Sequence, residues 1–369
     1  MVICFDCSIE TKQYLDDLVA EGQYRDYSEA IRVAVANQIL LHRKVGKDGS
    51  VVVRENTPRS GGEISMPKRR QSSQVVGVDY TNRKLIEAKI PDIFRIPSIS
   101  SDHEFAPISN DAWSESTGVP VEQWVFGQYN KLFPAKASCR AIANILSSKR
   151  NNSDVIEIAQ GIAAQAAELG RYLVHHDLQN SIQRDNRLST AFPTPDPLSE
   201  KSRERFANQF VISVNRSGQL SSLLVDFKFL NHVRQKETRV VLTEPGWYFA
   251  SLPNPVLDGE QQDPADRFTQ REKDFLIEHI IRYVLAERFA YRTILNAVIK
   301  GENTPDKLDQ ALKAYVKDQE SYTASFLSAQ RSGAISRMAD LDLLTRSRDG
   351  VRVTYEVTEH GLNFLERSK

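Results

Sequence analysis

The feature that most limits how this chain can fold is an internal repeat. Residues 215–249 match residues 330–364 at an offset of 115. Arg216, Ser217 and Gly218 fall on Arg331, Ser332 and Gly333, Ser221 falls on Ser336, and Thr243-Glu244-Pro245-Gly246 falls on Thr358-Glu359-His360-Gly361. Between these anchors the match drifts by one residue, so that Phe229-Leu230 stands for Leu343-Leu344. A repeat of this kind implies one supersecondary unit used twice. That restricts the second half of the chain before any single element is assigned.

The C-terminal copy is the more legible. Residues 304–369 read as helix, helix, helix, hairpin, helix. Thr304-Pro305-Asp306 supplies a cap and a proline at the first helical position. TASFLSAQ reads as a short second helix. SGAISRMADLDLL reads as a third, with Ile335, Met338, Leu341 and Leu344 along one face. Asp349-Gly350 between two β-rich runs is a hairpin signal, and a last helix begins near Glu359.

This order resembles the winged helix-turn-helix family. The residues that carry the resemblance are Ser336-Arg337, Leu341, Leu344, the basic hairpin, and Thr358-Glu359-His360-Gly361. It implies that the third helix enters the major groove and the hairpin touches adjacent DNA. Ser332, Ser336 and Arg337 then face DNA, and Arg337 is placed to bind guanine O6 and N7 bidentately. Arg346, Arg348 and Arg352 on the wing neutralise phosphates. By the repeat, residues 200–257 form a first winged helix with two departures: Ser222 stands at the position of Arg337, and Lys236-Glu237 replaces Asp-Gly in the turn. Arg234, Lys236 and Arg239 keep that wing basic, so the first copy either contacts backbone without reading bases or serves as a packing partner.

Residues 1–42 form a separate unit. Ile3, Phe5 and Cys7 alternate with Cys4 and Asp6 as a short strand. Ser8 caps a helix with Tyr14, Leu15, Leu18 and Val19 on one stripe, which ends near Gly22. Ser28 caps a second, with Ile31, Ala34, Val35 and Ile39 aligned. So small a unit lacks a sufficient core, and one short strand needs a partner edge. Both needs are met if two copies pair their strands and interlock their helices through Ile3, Phe5, Cys7, Leu15, Leu18, Ile31 and Val35.

The stretch, with Ser28-Glu29-Ala30-Ile31-Arg32 opening its second helix, resembles the ribbon-helix-helix family of DNA-binding dimers. The resemblance implies a ribbon in the major groove and phosphate held by backbone N–H groups near Ser28. The outward ribbon positions depart from the family: Val2, Cys4 and Asp6 stand where basic or amide residues are usual. The wider layout is similar to long prokaryotic, archaeal-type regulators of that family.

Charge separates these regions. Residues 1–42 carry three Lys or Arg against seven acids, whereas residues 43–84 carry ten against four. The second stretch is rich in Gly, Ser and Pro and reads as a basic flexible linker. The 369 residues balance 48 basic against 48 acidic side chains, which neither supports nor excludes DNA binding. Residues 85–199 read as a helical region. Within it, Pro134 divides two amphipathic helices around 121–146, and a long helix is capped at Ser153. Residues 258–303 read as one connecting helix of about thirty residues, opened by a Thr269/Glu272 capping box.

Enzyme chemistry finds little support. His175-His176-Asp177 is the sole histidine cluster, and neighbours on a helix point about 100° apart. Cys4 and Cys7 fall on opposite sides of the predicted strand. Three cysteines cannot fill a four-cysteine zinc site, and no phosphate-cradling glycine loop is present.

The expectation is a mainly α protein with small β elements: a ribbon-helix-helix domain, a helical region and tandem winged helix-turn-helix domains. It is expected to be soluble and cytoplasmic, associated with the nucleoid, with no catalytic residue, metal, cofactor or membrane segment. Its expected partners are double-stranded DNA and itself, as a homodimer, with higher oligomers left open. Its expected function is sequence-specific transcriptional regulation; the alternative is an architectural or partition-type DNA-binding protein, or an interaction adaptor.

Overall fold

The computed structural model describes residues 89–98, 105–109, 118–147, 155–193, 200–215, 218–234, 238–317, 322–350 and 352–369. The chain divides into two units, 1–79 and 80–369, and every described residue lies in the second. The expected ribbon-helix-helix with Ser28 and its dimerisation residues, the 43–84 linker, the cap at Ser153 and the Lys236 turn all lie outside the described residues.

The second unit is mainly helical, with three two-stranded antiparallel sheets among the described residues. Its centre is α1, Phe133–Ser147. Alanines 135, 137, 141 and 143 keep this helix narrow, and neighbours close around it so tightly that every residue from Phe133 to Ala143 is buried. Pro134 sits in its first turn, where the missing N–H costs nothing. The predicted amphipathic helix before it does not form. Residues 118–132 contain only a 3₁₀ turn at Val121–Gln123 and otherwise run irregularly. Their polar backbone is satisfied instead by side chains of a later helix. α2, Val155–Gln179, follows as expected.

The first repeat copy runs α3 (Glu200–Phe206), a π turn (Ala207–Val211), β1 (Ser213–Val214), β2 (Leu220–Ser221), α4 (Leu223–Asp226), β3 (Leu230–Arg234), β4 (Thr238–Leu242) and α5 (Glu244–Ser251). α6 (Pro255–Asp258) leads to α7 (Gln270–Tyr283), which carries the predicted Thr269/Glu272 capping box. The expected thirty-residue helix is broken. Val284 leaves the helical region at φ −116°, ψ 72°, and α8 (Leu285–Ile299) begins after it. Val284 is buried at the corner, and the Arg288 side chain donates to the Ile281 carbonyl freed there. The second copy runs α9 (Pro305–Leu312), α10 (Ala324–Asp340), β5 (Leu344–Asp349), β6 (Arg352–Val357) and α11 (Glu359–Arg367). The second and third helices predicted here are one helix, because Gly333 lies buried in mid-helix rather than ending it.

From the hairpin onward the two copies share their geometry, with the one-residue drift read from sequence. Lys228 and Asp342 both adopt positive φ, 59° and 56°. The Thr243 hydroxyl donates to the Lys228 carbonyl and accepts from Gly246 N–H. The Thr358 hydroxyl donates to the Asp342 carbonyl and accepts from Gly361 N–H. Leu230 pairs with Leu242, and Leu344 with Val357. A Cβ on Gly246 would overlap the Phe229 carbonyl, and one on Gly361 would overlap that of Leu343. The repeated Thr-Glu-x-Gly is therefore a cap followed by a close backbone approach.

Before the hairpin the copies differ. Gly218 turns at φ 78° inside a β1–β2 hairpin, where the second copy is helical. Ser222, aligned with Arg337, is the buried N-cap of a four-residue helix and accepts from Val225 N–H. A residue that starts a helix cannot also sit within its last turns, so α4 is short where α10 has 17 residues.

Candidate nucleic-acid interface

α10 is the helix expected to enter the groove, and its fate decides what this surface can do. The 118–132 segment lies over one side of it. Gln330, buried, donates to the Val121 and Trp124 carbonyls and accepts from Gly127 N–H. Gly127 and Gly333 meet so closely that a Cβ on either would overlap the other element's backbone. Gly127, Tyr129 and Lys131 thus belong to the packing surface that covers α10.

Arg337 is a correction. Its side chain is 0% exposed and forms a two-pronged pair with Glu287 of α8, Nε to Oε1 at 2.5 Å and Nη2 to Oε2 at 2.9 Å. Nη1 also donates to the Tyr129 carbonyl at 2.6 Å. Burial works against the charged form, but Glu287 more than offsets it and holds the guanidinium above its ordinary pKa. A group spent this way has no donor fork to offer guanine. The winged-helix resemblance that would put Arg337 toward DNA requires a helix bare on that side, and the covering segment removes that condition. Of the other two residues expected to face DNA, Ser332 is exposed and Ser336 half-buried.

In the β5–β6 hairpin, β5 is open to solvent from Thr345 to Asp349, whereas β6 is largely covered, with Tyr355 buried. Arg346, Arg348 and Arg352 are all exposed, and the hairpin turns at Gly350 with φ 58°. Register divides the three. Arg346 lies opposite Tyr355 and Arg348 opposite Val353, so they share the face that carries the buried Tyr355. Arg352 lies opposite Asp349 on the other face. Arg346 pairs with Asp185 at 3.2 Å, both exposed.

The first hairpin is different. Arg234 ends β3 opposite Thr238; its side chain, like Lys236, lies outside the described residues, and Arg239 is half-buried. Ala106 bridges to Thr243 and takes the Leu242 carbonyl, and Asn231 donates to the Pro107 carbonyl. This hairpin is covered on β3, where the corresponding strand of its counterpart, β5, is exposed.

Sequence reasoning missed the buried charges. Lys136 and Arg140, both fully buried on α1, reach the carbonyls at the end of α5. Lys136 donates to Phe249 and Leu252 and pairs with Glu272 at 2.9 Å. Arg140 donates to Ala250 and Leu252 and forms a bidentate pair with Asp258. Burial lowers the Lys136 ammonium to about 8, with Glu272 opposing. Asp340, also buried, accepts from Leu132 N–H and pairs with Lys131 and Arg267. A usable signal existed: charged residues four apart inside an alanine-rich helix, and Glu287 within an apolar run.

A groove of about 690 Å³ follows α8 and is lined by Arg288, Arg292, Lys300 and the aromatic pair Phe289 and Tyr315. Among the described residues no group of three or more His, Cys, Asp or Glu is arranged to hold a metal ion. None of the described helices is long and apolar enough to cross a membrane. No protein family, characterised protein or solved structure matches this chain.

Proposed function

We propose that the protein is a DNA-binding regulator that acts as a dimer, and that its C-terminal unit grips the phosphate backbone through the β5–β6 hairpin. The observation that carries this reading is the exposed trio Arg346, Arg348 and Arg352 on the hairpin, whereas the basic side chains of α1 and α10 are buried. Phosphate contacts position a protein on DNA without specifying sequence. With Arg337 committed to Glu287, operator choice falls to residues 1–42, in the ribbon-helix-helix reading of that stretch. Dimerisation belongs to the same residues.

The burial of Arg337 favours a second reading, in which the protein coats DNA architecturally without sequence preference. A genome-wide map of bound sites separates the two. Discrete sites that vanish when residues 1–42 are deleted support the regulator, and uniform occupancy supports the architectural role. Absence of salt-sensitive binding to any duplex would sink both.

A further inference from the structure

The wing does not stand alone. The Arg346–Asp185 pair ties β5 to the turn Arg184–Asn186 after α2. That turn is built to stay in place. Asp177, 2% exposed near the end of α2, accepts from Leu188 N–H, Ser189 N–H and the Ser189 hydroxyl. Arg267, itself paired with the buried Asp340, donates to the Asn186 carbonyl at 2.7 Å. The turn is thus held from both ends, by the body of α2 and by the last residue of α10. Arg184 opens this turn and Arg187 follows it, both exposed, and Asp185 between them meets Arg346 of β5.

We propose that the turn at 184–187 and β5 form one continuous phosphate-binding face, on which Arg184 and Arg187 grip the DNA backbone together with Arg346 and Arg348. This rests on the hairpin's role as a phosphate contact. Arg184 and Arg187 on one segment and Arg346 and Arg348 on the other give this patch four exposed arginines, with Asp185 paired to Arg346, within a chain of zero net charge. Asp185 then has a definite part: in the free protein it occupies the Arg346 guanidinium, and a phosphate must displace it. It weakens binding while keeping Arg346 oriented. Nothing in the sequence links the two segments, which lie 161 positions apart; only the tertiary contact does.

The test uses the full chain and a fluorescent 30-base-pair duplex of arbitrary sequence. Affinity is measured by anisotropy at several salt concentrations. Each phosphate contact contributes roughly 0.9 to the slope of log affinity against log salt. Arg184→Ala/Arg187→Ala should therefore lower the slope by about two per bound protomer, as Arg346→Ala/Arg348→Ala should. Asp185→Asn should bind several-fold tighter than the native chain. All four arginines and Asp185 are exposed, and circular dichroism checks that each variant is folded. An unchanged slope in Arg184→Ala/Arg187→Ala, with a reduced one in Arg346→Ala/Arg348→Ala, overturns the extended face and leaves the hairpin reading standing. Unchanged slopes in both, or no binding by the native chain, overturn the hairpin reading and this inference with it. An Asp185→Asn protein that binds no tighter removes the competing role of Asp185.

Discussion

The two hairpin-helix copies begin from nearly the same local code and end in different situations. Both start at a positive-φ residue, both close on a threonine cap, and both need a glycine where the closing helix crosses a carbonyl. In the first copy Phe229 stacks on Phe249 and His279, His279 bonds the Phe227 carbonyl, and Lys136 and Arg140 hold the end of α5. In the second, β5 is exposed from Thr345 to Asp349, and the end of α11 receives one side chain, Arg292, at the Ser368 carbonyl. A repeat preserves local geometry, but neighbours decide whether a copy becomes framework or surface. Here the first copy is framework and the second keeps β5 exposed.

The sharpest way to break this comparison is at Arg337, where the second copy is most deeply tied in. Removing one partner of a buried ion pair leaves an uncompensated charge and costs about 3–5 kcal/mol. Glu287→Ala should therefore lower the urea midpoint by a corresponding amount. A variant as stable as the native chain would mean that Arg337 is not committed to Glu287, and would reopen base reading.

Next in size is a pH effect that belongs to the first copy. Burial lowers the His279 pKa to about 4. The unfolded state, with an ordinary value near 6.5, binds the proton more readily. Stability from neutral His279 is therefore full above pH 6.5 and drains away as pH falls from about 6.5 to about 4, by up to about 3 kcal/mol. Below that window Asp340 takes over. Burial raises its pKa, Arg267 and Lys131 outweigh burial, and the net depression makes stability fall further as it protonates. Denaturation curves at stepped pH check this, and a His279→Phe protein should lose the upper window only. Asp226 on α4 opposes this loss, because burial raises its carboxyl to about 6 and its protonation adds stability as pH falls through the same window. The His279 contribution is therefore read as the difference between the native and His279→Phe profiles, and identical profiles would contradict the covered first copy.

The paired glycines test whether the copies obey one rule. Gly246→Ala and Gly361→Ala each drive a Cβ into a carbonyl oxygen and should cost about 1–3 kcal/mol. Gly246→Ala should cost more, because the Phe229 carbonyl sits under a covered hairpin that cannot shift. Equal and negligible losses would show that the crossings are loose. The smallest effect concerns exposed charge. Arg348→Ala should change stability by no more than about 0.5 kcal/mol while lowering the salt slope of duplex binding by about one per bound protomer. Arg239→Ala in the covered hairpin should leave that slope alone. A slope change at Arg239 equal to that at Arg348 would erase the functional division between the copies.

Much of this was legible in the residues. The Asp349-Gly350 hairpin and the Thr269/Glu272 capping box are local devices whose partners lie within a few positions in sequence. Local hydrogen bonding and backbone sterics suffice to specify them, and the structure carries them as read. The same locality sets the limits of the reading. The break at Val284 has no glycine or proline to announce it, and the fusion of two predicted helices across Gly333 depends on Gly127, some two hundred positions away. Arg337 has the pattern of an outward helix residue, and no rule of spacing reveals that residues 118–132 lie across it or that Glu287 waits on another helix. Periodicity records which side chains share a face, whereas burial depends on what that face meets. The sequence by itself determined the repeated units and their caps. Only the tertiary structure decided which arginines are buried in ion pairs and which stand in solvent, because that depends on long-range packing between segments with no local signature of each other.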